Sequence, residues 1–272
     1  MIARILTVAG SDSGGGAGIE ADLKTITALG GYGCTCITGL TAQNTRGVLG
    51  VHPVPAAFVA LCMRAVISDI GVDALKLGML TNAEIIHEVA ENLPAQVPLV
   101  LDPVMISTSG AALLPDEAVD ALIEKLLPRA TLVTPNLPET ARLTGLPVET
   151  PAQCLAAGRR LLALGAQAVL IKGGHGQGDV LTDHLITSEQ VVAINMPRLE
   201  SRNTHGTGCT LSAAIATGLG QGLALEPALR RARAYLQTAI ATAPGIGTGH
   251  GPVNHLASLP VFPCSYTGSP GF

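Results

Sequence analysis

Apolar residues run almost unbroken through ARILTVAG (3–10) and then respace to helical intervals at Ile19, Leu23, Ile26 and Leu29. This switch predicts a strand, a glycine loop and a helix. The theme recurs along the chain. YGCTCITGLTAQNT (32–45) predicts a second strand and loop, AFVALCMRAVISDI (57–70) a helix, VDALKLGML (72–80) a strand, NAEIIHEVAENL (82–93) a helix and VPLVLDPVM (97–105) a strand. Further on, 116–130 reads as a helix, TLVTPN (131–136) as a strand, 151–166 as a helix, AVLIKGGHG (168–176) as a strand and 179–195 as a hairpin. Strands such as PLVLDP and AVLIKGG are apolar on both faces, which suits a parallel sheet covered by helices on either side. The pattern predicts an α/β chain with one domain over 1–260, and we expect a mobile tail over 261–272, where FPCSYTGSPGF is rich in Pro, Gly and Ser.

Composition narrows the class. Of 272 residues, 47% are hydrophobic and 13% charged, too apolar for disorder. No apolar run reaches the roughly 18–20 residues that a bilayer needs, so a cytoplasmic chain without membrane partners is expected. With a formal net charge of −4 and no clustered Lys or Arg, nucleic acid is not an expected partner. The six cysteines form no C-x-x-C pair and no zinc spacing, and are read as free thiols.

Ligands of open α/β sheets collect beyond the carboxyl ends of the strands. There the sequence offers Gly10, Ser11 and Asp12 with a glycine run, Asp22 one helical turn on, Thr41, Gln43 and Asn44, then Asp102, Asn136 with Glu139, and Lys172. The run GGGAG supports no G-x-G-x-x-G and no P-loop, so alone it says little. HGTGC (205–209) says more. Gly206, Thr207 and Gly208 precede an Ala-rich helix whose N-terminus would gather backbone N–H groups into an anion hole. The same field is expected to lower the thiol pKa of Cys209. His205 is read as shaping that loop.

In this order and spacing, AGSDSGGGAGIEADLKT, LTAQNT, KLGML, VLDPVM, TPNLPE, KGGH and NTHGTGCTLSAA resemble the hydroxymethylpyrimidine/phosphomethylpyrimidine kinases of thiamine biosynthesis, a branch of the ribokinase superfamily. The resemblance runs from about Ile5 to GPVNH at 251–255. Two departures are Glu20, where Gln is frequent, and ISTSG at 106–110, where a lysine often precedes Ser-Gly. The resemblance implies a ribokinase-like three-layer fold with a mostly parallel sheet. It also implies phosphoryl transfer from ATP to 4-amino-5-hydroxymethyl-2-methylpyrimidine and then to its monophosphate, with Mg²⁺, in a homodimer. By the same token Cys209 would accept the hydroxyl proton and Lys172 would face the phosphates, with Gly206, Thr207 and Gly208 as the anion hole. Asp102, Asn136 and Glu139 would serve Mg²⁺, and Gly10, Asp22, Thr41, Gln43 and Met79 the pyrimidine. Gln43 offers a donor beside an acceptor, as an aminopyrimidine edge requires. A pyridoxal or pyridoxine kinase of the same branch is the alternative, and a sugar kinase is disfavoured because that group carries Asp where Cys209 stands.

Overall fold

The computed structural model describes residues 1–106, 110, 113–175 and 178–259. The expected mobile tail and residues 107–109 of ISTSG lie outside them. Among the described residues nine strands form one sheet: β1 (Arg4–Asp12), β2 (Tyr32–Asn44), β3 (Gly47–Pro53), β4 (Ala74–Leu77), β5 (Leu99–Leu101), β6 (Leu132–Val133), β7 (Ala168–Ile171), β8 (Val180–Thr187) and β9 (Val191–Pro197). Their order is β3-β2-β1-β4-β5-β6-β7-β8-β9. The block from β2 to β7 is parallel, and β3, β8 and β9 extend it antiparallel at the two edges. The expected hairpin is β8–β9, whereas β3 was not anticipated. Its residues are largely exposed, so no core periodicity marks it.

Alternate residues of each parallel strand feed two cores. Leu6, Val8, Leu75, Leu77, Leu99, Leu101, Val133 and Ile171 face the layer of α2 (Ala56–Asp69), α3 (Ala83–Glu91), α4 (Asp116–Ala121) and, beyond α5 (Leu137–Thr144), α6 (Pro151–Ala163). Ile5, Ala74, Val100, Leu132 and Leu170 face α1 (Gly18–Ala28), α7 (Thr207–Gly220) and α8 (Leu225–Ala241). Each fully buried Leu or Ile contributes about 1.5–3 kcal/mol to the apolar driving force. This is the expected three-layer arrangement. The helix expected over 116–130 changes pitch, from α4 to a π turn at Leu122–Leu126 and a 3₁₀ turn ending at Arg129, where Pro128 cannot continue the hydrogen-bond ladder.

Helix α7 is buried on every side from Thr210 to Gly218. Its small residues allow that. A Cβ on Gly218 would come within 2.8 Å of Ala228 on α8, and one on Gly220 within 2.5 Å of Ile5. Thus α7 lies directly on β1, β4 and β5, and its first turn opens at their carboxyl ends. Among the described residues no helix is long and apolar enough to cross a membrane.

Candidate active site

A cavity of about 530 Å³ opens beyond the carboxyl ends of the parallel strands. Gly10, Thr41, Gln43 and Met79 line one side, Asp102, Asn136, Glu139 and Lys172 another, and Gly206, Thr207 and Gly208 the wall between. Eleven of the thirteen residues to which the resemblance gives roles therefore meet in one place. Asp22 and Cys209 do not line it.

The glycine loop after β1 is organised by Asp12. Its Oδ1 accepts the Gly14 N–H at 2.8 Å, and its Oδ2 accepts those of Gly16 at 3.0 Å and Ala17 at 2.9 Å. The Nε2 of His205 lies 2.8 Å from the same Oδ2. Burial opposes this carboxylate, but His205, Gln43 and the loop amides hold it well below the usual carboxylate range. His205 thus shapes the loop, as expected. Glu20 accepts from Ser11 Oγ at 2.6 Å and from the Asp12 N–H at 2.7 Å, bracing the loop from the first turn of α1. The departure from Gln at this position therefore keeps a structural function. Gln43 is fixed through Ser13, whose hydroxyl donates to its carbonyl and accepts its N–H, both at 2.8 Å.

Helix α7 begins at Thr207 with Gly206 as N-cap at φ +81. A Cβ there would stand 1.8 Å from the Gly16 carbonyl, so only glycine lets the two loops close together. The Gly206–Gly208 segment lines the cavity, with the Thr207 N–H donating to the Thr204 carbonyl at 3.3 Å.

Beside Gly208, Lys172 Nζ lies 2.8 Å from Asp102 Oδ1 and 4.0 Å from Glu139 Oε2. Burial works against the ammonium, yet Asp102 and Glu139 raise its pKa. Asp102 also accepts from Thr134 Oγ1 at 3.1 Å. Glu139 is 6% exposed, and burial together with Asp102 pushes its carboxyl up to about 7 although Lys172 pulls the other way. Glu139 and Asn136 form a reciprocal cap on α5: Asn136 Oδ1 accepts the Glu139 N–H at 2.9 Å and Glu139 Oε2 accepts the Asn136 N–H at 2.8 Å. The cap takes one of the two lone pairs of the Asn136 side-chain oxygen, and the residue still lines the cavity beside Glu139.

Asp22 and Cys209 stand apart from the other expected residues. Asp22 is fully buried beneath α1, with Oδ2 accepting from Lys76 Nζ at 2.8 Å and from Thr7 Oγ1 at 2.5 Å, so it does not reach the cavity. Lys76 is itself fully buried. Burial alone would strip its proton, but Asp22, supported by Asp102, keeps it charged. Nothing in KLGML distinguishes this lysine from a surface one. Cys209, half-buried in the first turn of α7, does not have the lowered pKa expected of it. Burial pushes its thiol up to about 11, with Asp22 and Asp102 adding to the rise, against the opposing pull of Lys76 and the Gly18 N–H. The helix-end field is present but desolvation outweighs it.

The comparisons with known proteins agree with this arrangement. The family described as phosphomethylpyrimidine kinase matches residues 12–254. A thiamine biosynthesis bifunctional protein of Geobacter sulfurreducens is 52% identical over 93% of the chain, and the chain spans 52% of that longer protein. A hydroxymethylpyrimidine/phosphomethylpyrimidine kinase of Rhizobium meliloti is 51% identical over 94% of the chain and 97% of its own length. The crystal structure of an ADP complex of Bacillus subtilis pyridoxal kinase superposes with a TM-score of 0.88 at 34% identity, covering 94% of this chain and 98% of that one. A match over 12–254, with half of the aligned residues shared with its relatives, shows that the chain belongs to the phosphomethylpyrimidine kinase family.

Proposed function

We infer that this chain transfers the γ-phosphoryl group of ATP to 4-amino-5-hydroxymethyl-2-methylpyrimidine, and then a second one to the resulting monophosphate. The observation that carries this is one cavity lined both by an amide reader, Gln43, and by Lys172 with the Gly206–Gly208 segment. The identity of 51% to the Rhizobium kinase, against 34% to the pyridoxal kinase, favours the pyrimidine over pyridoxal. The ADP complex of that pyridoxal kinase supports ATP as donor.

In the first transfer the substrate oxygen forms a bond to the γ-phosphorus, the bond to the β–γ bridging oxygen breaks, and ADP leaves. Such a transition state needs positioning and charge neutralisation above all. Lys172 and the loop amides supply both, and Gln43 orients the ring. The substrate's hydroxyl proton is assigned to Cys209 as thiolate, which stands directly behind the cavity-lining Gly208 and Gly18. With the thiol near 11, only about one molecule in 10⁴ is ionised at pH 7, so the rate should follow the thiolate population. In the second transfer the acceptor is already a phosphate oxyanion, and Cys209 is needed less.

Asp102 and Glu139 are two buried carboxylates facing one ammonium, and this surplus of hard, negative oxygen suits Mg²⁺ held partly through water. When bound, the ion would neutralise charge on the phosphates. Exposed Leu40, Leu49 and Val51 on the β2–β3 edge support a homodimer, and the ATP requirement and free thiols support a cytoplasmic protein. The test is an ADP-release assay with the hydroxymethylpyrimidine, its monophosphate and pyridoxine side by side. Faster turnover of pyridoxine than of either pyrimidine would overturn the reading.

A further inference from the structure

Arg233 stands in the sheet-facing stripe of α8, beside Ala232 and Leu236, where an apolar side chain would pack. It is 9% exposed, and its partner Asp183 on β8 is fully buried, with Nη2 and Oδ2 in ion-pair contact. Asp183 points to the same side of the sheet as Leu185, into the core under α7 and α8. An apolar pair of similar volume would serve the fold as well or better, because two desolvated charges rarely repay their burial. The other oxygen of Asp183 supplies a reason for keeping the pair. Oδ1 accepts the Gly173 N–H at 2.9 Å.

Gly173 follows Lys172 just beyond the end of β7. A Cβ at Gly173 would lie 1.9 Å from the Thr182 carbonyl, so the backbone presses against β8 there. On its other side the Lys172 N–H donates to the Pro135 carbonyl at 2.9 Å. The two amides are therefore gripped from opposite neighbours, and between them the Lys172 side chain leaves for Asp102.

We propose that Arg233 and Asp183 are a positioning pair for Lys172: Arg233 orients the buried carboxylate, the carboxylate holds the Gly173 amide, and this sets the direction in which the ammonium enters the cavity. The inference rests on the role given to Lys172 in the proposed phosphoryl transfer.

Two double variants test it. Asp183→Asn with Arg233→Met removes both charges but keeps an acceptor for Gly173, and its kcat is the reference against which loss of the acceptor is read. Asp183→Leu with Arg233→Met removes the acceptor as well. There kcat is expected to fall on the order of 10–100-fold, the usual cost of a catalytic group displaced by about 1 Å, with KM for the pyrimidine unchanged. Any effect of Arg233 on ATP is common to both and cancels. Should the leucine variant lose its cooperative melt, Asp183→Ala with Arg233→Met removes the acceptor without bulk and must show the same fall. Equal kcat with and without the acceptor overturns the proposal. Lys172→Met in the same assay separates the two levels. If it keeps kcat, the functional role of Lys172 falls; if it loses kcat while the double variants match, only the positioning does.

Discussion

His205 Nε2 lies 2.8 Å from Asp12 Oδ2, joining loops 193 residues apart in the chain. Through this contact the glycine loop after β1 and the loop that opens α7 become one wall. Asp12→Ala would deprive the Gly14, Gly16 and Ala17 amides and His205 of their acceptor, at a cost of about 1–3 kcal/mol or more in stability, and should raise KM for both substrates together. Denaturant unfolding and steady-state kinetics check this. A change in one KM alone would show that the wall is not a unit.

Cys209→Ala should lower the first phosphorylation by roughly 10²–10⁴ and the second much less, because only the first acceptor has a proton to lose. In the natural chain, kcat for the first step should rise about tenfold per pH unit above neutrality and level off near pH 11 as the thiolate forms, while the alanine variant stays flat. Alkylation of Cys209 should follow the same curve. An equal loss in both steps would remove the proton-accepting role.

Gln43→Leu leaves the aminopyrimidine edge unpaired, at about 1–3 kcal/mol, and should raise KM for the pyrimidine while leaving that for ATP in place. Parallel rises would mark Gln43 as a support for Asp12, towards which its side chain also donates.

Glu139→Gln keeps the reciprocal cap on α5, since Gln serves as well as Glu at that position. The melting temperature should therefore hold, while the Mg²⁺ concentration for half-maximal rate rises and activity recovers partly at high Mg²⁺. An unshifted Mg²⁺ curve would leave Glu139 with only its helix-end role.

His255 is buried, with Nε2 3.0 Å from Thr210 Oγ1, and burial lowers its pKa from 6.5 to about 4. Between these values the unfolded chain binds the extra proton, so this group's contribution to stability is complete above pH 6.5 and is lost as pH falls towards 4. The slope is about 1.4 kcal/mol per pH unit. Glu139, pushed up to about 7, acts in the opposite sense between pH 4.5 and 7. The comparison of variants therefore isolates His255: His255→Gln should flatten the fall in melting temperature from pH 6.5 to 4.5. An unchanged slope would contradict a buried neutral imidazole.

Much of this protein was legible from periodicity and from the polar residues that end each strand. Alternation of apolar runs with helical spacing specified the layers, because a buried parallel strand and an amphipathic helix leave different imprints on a chain. The rule that ligands gather at carboxyl ends then assembled Gln43, Asp102, Glu139, Lys172 and the Gly206–Gly208 loop before any coordinates. Only tertiary structure decided what depends on desolvation and on distant partners. Lys76 is charged because Asp22, 54 residues away, lies 2.8 Å from it in the core. Cys209 holds its proton because burial outweighs a helix end that the sequence does display. Asp183 and Arg233 carried no signal because a lone Asp in a hairpin and a lone Arg in a helix read as surface residues. Local pattern encodes backbone and face; the electrostatics of a site arise from contacts between segments far apart, and those exist only once the chain has closed.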